Sequence, residues 1–218
     1  HYGSWVTSNS LDDVKNSKLQ VMFGNNPLET RMSGGGETFV TQQIKRKHGV
    51  KTIVVDPRYS ETAVGLGDEW VPIRPGTDAA FIAGIAHVLI QESLHDQEFL
   101  DKYCVGFDEA HMPEGAPAHA SYRSYIEGKG PDGIEKTPEW AARVCGVPSQ
   151  KIRQLAREMA AAKPTAITQG WGPQRHANGE NQARAVFTLA AMLGQIGIPG
   201  GGTGARESSA NLGMASPF

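Results

Sequence analysis

The chain has 218 residues, 21 of them Lys or Arg and 23 Asp or Glu. That length suits one large α/β domain or two small ones and can enclose a sizeable core. Near-balanced charge leaves no basic face for nucleic acid or an anionic membrane surface, and no apolar run is long enough to span a bilayer. The two cysteines, Cys104 and Cys145, form no CxxC pair, so the chain alone builds no evident zinc or iron–sulfur site, and both read as buried thiols.

In chain order, residues 1–18 are polar and rich in turn formers. Lys18 to Gly24 is a short apolar run fit for a parallel strand buried on both faces. Glu37 to His48 reads as a helix of modest amphipathicity, with Phe39, Gln43 and Lys47 on one face, Val40 and Ile44 on another, and Gly49 as its stop. "KTIVVD", residues 51–56, is a second strand, and "EWVPIR", residues 69–74, a third that Pro72 places at an edge or makes irregular. The strongest helix is Thr77 to Ser93, where Ile82, Ile85, Ala86 and Leu89 recur at helical spacing, and Asp96 to Tyr103 continues helically.

Residues 104–137 hold many Gly, Pro and His and are expected to form a long surface excursion. Next comes a helix with Thr137 as N-cap, Pro138 at its first position and Gly146 as its end. A further helix is capped by Ser149, closed by Pro164 and lined by Ile152, Leu155, Ala156 and Met159. "TAITQG", residues 165–170, is a fourth strand, and Gly179 to Gln195 a last helix with Ala183, Val186, Phe187 and Ala190 inward. The alternation predicts an α/β fold: a mainly parallel sheet with helices on both faces, Rossmann-like and three-layered. Residues 1–200 are expected to be one domain and 201–218 a glycine-rich connecting tail. The start at His1, with neither initiator Met nor signal peptide, and the tail suggest a portion of a larger protein.

Ligands of open parallel sheets bind beyond the carboxyl ends of the strands, and four unusual stretches fall there. In "GNNP" the amides of Asn25 and Asn26 and the turn N–H groups suit an anion nest, although the same residues make an ordinary tight turn. "SGGG", residues 33–36, reads equally as an approach to a ligand or a loose entry to the helix. In "VVDPR", Asp56 ends a buried strand, where an acid takes ribose hydroxyls or caps a turn; Arg58 reaches phosphate, purine or solvent. Asp56 follows Gly24 by about 32 positions, not the roughly 20 of a dinucleotide fold, which argues against NAD. In "RPGTD", Gly76 permits positive φ, and Asp78 serves the helix dipole and also matches a guanine N1–H and N2 amine. "GWGPQRHANGE", residues 170–180, sets Trp171 between two glycines, as close approach to a flat ligand requires. His176 within it is either a proton donor or a solvated loop histidine.

"VMFGNNPLETRMSGGG", "VVDPRYSETA", "EWVPIRPGTDAA" and "QGWGPQRHANGE", in this order, resemble the molybdopterin oxidoreductases, and within them the dimethyl sulfoxide reductase branch. The resemblance covers nearly the whole chain. It implies an internal domain of a catalytic subunit in which two molybdopterin guanine dinucleotides hold a molybdenum atom, this domain supporting one of the two. By the resemblance, Gly24, Asn25, Asn26 and Pro27 meet phosphates, and Thr30 and Arg31 belong to the cofactor-binding set. Asp56 and Asp78 hold the guanosine end, and Pro57, Arg58 and Gly76 belong to the cofactor-binding set. Gly170, Trp171, Gly172, Gln174 and Arg175 line the cofactor or its approach, and Arg31, Arg58 and Arg175 are the candidate charge partners.

The family's serine ligand to molybdenum lies a little upstream of "YGSW", before His1, and the cysteine motif for its 4Fe-4S cluster does not occur in this sequence. No catalytic residue and no metal ligand is therefore expected within these 218 residues, and the stretch alone is expected to be inactive. The resemblance further implies the remaining domains of the subunit, an iron–sulfur electron-transfer subunit, a membrane-anchor subunit and a periplasmic location, with no nucleic acid and no membrane insertion by this chain. The implied reaction is reduction of dimethyl sulfoxide or related S- and N-oxides by oxygen-atom transfer in anaerobic respiration. Alternatives are a reductase of another oxyanion such as nitrate or selenate, a stand-alone guanine-nucleotide-binding module, and a structural remnant with an empty site.

Overall fold

A computed structural model describes residues 9–30 and 36–204. Its centre is a four-stranded sheet in the order β3-β2-β1-β4, with β1 at Leu19–Phe23, β2 at Lys51–Val55, β3 at Glu69–Val71 and β4 at Thr165–Gln169. Every pairing is parallel, and Leu19 stands between Lys51 and Thr165. As expected for a strand covered on both faces, every residue of β1 is buried. β3 lies at the edge and stops before Pro72, three residues shorter than the sequence run, because a proline has no N–H to continue a ladder.

Strand alternation divides the core. Leu19, Val21, Phe23, Ile53, Val55 and Ile167 face the larger helical layer. That layer contains α4 (Asp78–Gln91), α7 (Pro138–Cys145), α8 (Ser149–Ala161) and α9 (Gly179–Met192). Met22 and Val54 point the other way, toward Ala63 of α3 (Glu61–Gly65), and Ala166 toward Ile44 of α2 (Gly36–His48). The remaining helices are α1 (Pro27–Thr30), α5 (Gln97–Tyr103) and α6 (Tyr122–Ile126). α4 is apolar nearly all round, as a helix enclosed on all sides must be.

Local chemistry sets the boundaries. The Thr137 hydroxyl accepts the Trp140 N–H at 3.1 Å, Pro138 opens α7, and Gly146 at φ 81° ends it. Ser149 is the first helical residue of α8 rather than its cap, a place taken by Pro148. α3 escapes sequence reading because it is a single short turn, begun by the Ser60 hydroxyl accepting the Ala63 N–H at 3.3 Å.

Other expectations change. Residues 104–137 are not merely a surface excursion: Phe107 and Ile126 join the main core, and Lys136 is only 1% exposed. Its ammonium donates to Asp132 at 2.8 Å and to the Ile134 carbonyl, and stands 4.2 Å from the Tyr125 ring centroid. Cys145 is buried, but Cys104 only partly so. In α9 the inward set is Val186, Leu189, Ala190 and Met192, with Phe187 half-covered. Past the sequence-based limit at residue 200, Gly201 to Gly204 remain buried, and the Gln169 side-chain amide donates to the Gly204 carbonyl at 2.6 Å.

Candidate functional site

At the carboxyl ends of the four strands lies a cleft of about 530 Å³. Its floor begins where β1 and β4 end side by side. Gly170 donates its N–H to the Phe23 carbonyl at 2.9 Å, and Gly24 its own to Val55 at 2.8 Å. Gly24 sits at φ +50°, and a Cβ there would lie 2.7 Å from Pro173. A Cβ on Gly170 would lie 2.1 Å from the Gly24 carbonyl oxygen. Gly170 thus answers to the neighbouring loop, whereas a Cβ on Gly172 would stand 3.4 Å from the same oxygen, an ordinary contact. Trp171 itself lines the cleft and is 45% exposed, with the Arg175 guanidinium 4.9 Å from its ring centroid.

Asn25, Asn26 and Thr30 line the cleft beside Gly24, while Pro27, which opens α1, is buried outside the lining. The Asn26 side chain is already committed. Its amide nitrogen donates to Glu29 at 2.5 Å, and its oxygen accepts from the Thr62 hydroxyl at 2.5 Å and backbone N–H at 3.2 Å. The oxygen thereby ties α1 to α3, and Glu29 takes one of the two N–H donors of the amide. Thr30 turns its hydroxyl onto the Asn26 carbonyl at 3.0 Å.

Asp56, Pro57 and Arg58 enter from the end of β2. Asp56 is 7% exposed, and its carboxylate accepts the Arg58 N–H at 2.8 Å. Burial pushes this carboxyl above its ordinary range, the Arg58 contacts opposing the shift and the Glu29 charge adding to it. Gly76, at φ +72°, turns the chain after β3 and admits Asp78, the first residue of α4. Asp78 is 5% exposed, and burial raises its carboxyl, with His176 opposing and Asp56 adding to the effect. The start of α4 is served by Gln182, whose side-chain oxygen accepts the Ala79 N–H at 2.6 Å, and the Thr77 side chain makes no cap there.

Of the sequence-predicted set, Gln174 and Arg175 do not line the cleft, and Arg31 lies outside the described residues. Glu37, Pro75, Pro173 and His176 line it and were not in that set. Glu37 reads as a routine acid in a helix's first turn, and no spacing links it to the strand ends. Pro173 had a signal within "GWGPQ", while His176 stood there between two readings. Asp101, Asp108 and His111 bring three potential ligand atoms within 4.8 Å of one another away from the cleft. There the imidazole contacts Asp108 at 2.7 Å, and Gln97 donates to both carboxylates.

The cleft therefore combines buried carboxylates with a half-exposed indole and one rim guanidinium. Carboxylates accept two hydrogen bonds at once, so this set suits a ligand carrying paired N–H or hydroxyl donors and a flat ring.

Comparisons with known proteins agree with this architecture. Residues 2–216 match the molybdopterin oxidoreductase family. Over 211 residues the chain is 57% identical to the dimethyl sulfoxide reductase DmsA of Escherichia coli (strain K12), covering 97% of this chain and 26% of that protein. A trimethylamine-N-oxide reductase of Haemophilus influenzae is 38% identical over 205 residues, 92% of this chain and 23% of its own. The solved acetylene hydratase from Pelobacter acetylenicus superposes with a TM-score of 0.64 at 27% identity, over 91% of this chain and 23% of that one. The chain spans about a quarter of the length of the curated relatives it matches. It belongs to the molybdopterin oxidoreductase family.

Proposed function

We propose that this chain is the part of a molybdenum-dependent sulfoxide reductase that holds the guanosine end of one molybdopterin guanine dinucleotide. The carrying observation is the pairing of buried Asp56 and Asp78 in one cleft at the strand ends, in a chain 57% identical to a dimethyl sulfoxide reductase. The donor set fits the group. Two carboxylates to which no arginine or lysine side chain is bonded among the described residues are suited to the guanine N1–H and N2 amine and to ribose hydroxyls. When bound, the cofactor supplies oxygen-atom transfer at its molybdenum, converting a sulfoxide to a sulfide with two electrons and two protons.

The chain's own residues bind, orient and shield. Asp78 accepts the base, Asp56 the ribose, and Trp171 offers a flat wall. Arg58 and the backbone amides beside Gly24 meet phosphate at the rim. Fixing one end of a long ligand restrains its reactive end elsewhere in the protein. Sulfoxide is favoured over N-oxide because the relatives named for dimethyl sulfoxide alone are 55–58% identical, those named for trimethylamine N-oxide alone 36–38%, and one named for both 37%. A 4Fe-4S cluster, an iron–sulfur subunit, a membrane anchor and a periplasmic location belong to the same reading through the family resemblance.

The test is metal and nucleotide analysis of the longer parent protein. Acid hydrolysis should release guanine nucleotide in proportion to bound molybdenum, and Asp78→Asn should lower both together. Guanine nucleotide without molybdenum would favour a stand-alone nucleotide module, and neither would overturn the assignment.

A further inference from the structure

β1 and β2 are adjacent and in register, with Phe23 beside Val55, so the segments that follow them emerge side by side. One carries Glu29 in α1, and the other carries Arg58. Glu29 Oε2 receives a guanidinium N–H of Arg58 at 2.7 Å and the Asn26 amide at 2.5 Å. Asn26 is itself buried and anchored twice on Thr62. The carboxylate thus has two partners, although both it and Arg58 are exposed. Arg58 and Asn26 line the cleft, and Glu29 stands behind them, outside the lining.

Resting on the proposed function, we infer that Glu29 is a built-in counter-ion with which the phosphate of a bound nucleotide competes for Arg58, so that Glu29 disfavours anions that bring no base and ribose. The charge of the described residues favours this. Among them Asp56, Asp78 and Glu37 line the cleft against Arg58, while Arg175 lies on the Trp171 ring outside the lining. An incoming phosphate meets acids and a guanidinium already neutralised. Arg58 remains able to bind phosphate because a guanidinium carries five N–H donors in a fixed fork, and only one side-chain partner, Glu29, holds it among the described residues. A small anion competes with Glu29 for Arg58 without any bond to Asp56 or Asp78 to offset that competition. A nucleotide that also bonds Asp56 and Asp78 gains enough, and Glu29 then keeps its Asn26 bond. The Glu29 charge also reaches the floor, since it adds to the burial that raises the Asp56 carboxyl.

The experiment is titration calorimetry of the full 218-residue chain with guanosine diphosphate, guanosine and inorganic phosphate, using Glu29→Gln, Arg58→Ala and the double variant. Gln at 29 retains an acceptor for Asn26 and Arg58, so the fold is kept, and guanosine binding serves as the control for it. Glu29→Gln should tighten guanosine diphosphate about 2- to 5-fold, the range an exposed ion pair spans. It should also raise phosphate binding, leave guanosine unchanged, and lose most of its gain when Arg58 is Ala. Unchanged or weaker diphosphate binding by Glu29→Gln, or the same gain without Arg58, would overturn the inference while guanosine binding stands. Failure of the unsubstituted chain to bind guanosine or its diphosphate would overturn this inference, while the proposed function is decided by the metal and nucleotide analysis of the longer protein.

Discussion

Asp78 is subject to two opposed fields. A carboxylate in the first turn of a helix is favoured by the helix dipole, by about 0.3–1 kcal/mol at exposed sites. Burial disfavours its charge, and for Asp78 burial is the larger effect, because the carboxyl is held above its ordinary value. The consequence for stability has a definite sign. A carboxyl that keeps its proton longer in the folded chain than in the unfolded one costs nothing below its unfolded value of 3.8, and destabilises the fold as pH rises past it. Asp78→Asn should therefore gain stability relative to the parent as pH is raised from below 3.8 to neutral, measured by urea melts at matched ionic strength. The same variant should weaken guanosine binding about 10- to 100-fold, the loss expected for hydrogen bonds to a charged acceptor. Less stability at neutral pH with unchanged binding would make Asp78 a helix-terminal residue and nothing more.

Strand ends meet at the glycines. Gly170 and Gly172 look alike in sequence, yet the first is held against the end of β1 and the second has room. A Cβ at 170 would sit 2.1 Å from the Gly24 oxygen, and one at 172 would sit 3.4 Å from it. Gly170→Ala should cost about 3 kcal/mol or more, since the obstacle is backbone, whereas Gly172→Ala should stay within about 1 kcal/mol of the parent. Denaturant midpoints would show this, and equal costs would refute the close junction of β1 and β4. The elements themselves were largely legible: alternation of apolar strands with periodic helices, and caps such as Thr137 and Gly146, are local properties of the chain. What escaped depended on contact. α3 is too short for a period to show, and residues 104–137 looked like surface because polarity hides the burial of Phe107, Ile126 and Lys136.

α4 couples the layers. Its residues pack with α7, α8 and α9 while Phe81 stacks toward Phe23 of the sheet, ring centroids 6.4 Å apart. Ile85 is fully buried at its centre, so Ile85→Ala should destabilise the fold by about 2–5 kcal/mol. Because Trp140 packs with the larger helical layer and Trp70 with the smaller core beyond the sheet, fluorescence and far-UV circular dichroism should report the same lowered midpoint. Divergent midpoints would mean that the two layers unfold separately. The cleft is a product of the same assembly: parallel pairing brings the ends of β1, β2, β3 and β4 to one edge, and with them Asn25, Asp56, Asp78 and Trp171.

The amino-acid order alone carried the strands and main helices, their parallel α/β arrangement and the family motifs, because apolar period, turn chemistry and short motifs are written in neighbours along the chain. It could not say that Asn26 is bound to Thr62, that Glu29 holds Arg58, that Gly170 faces a carbonyl, or that Glu37 and His176 share a cleft with Asp78. Those are distances between segments remote in sequence, and only the packing of the sheet and its helices creates them.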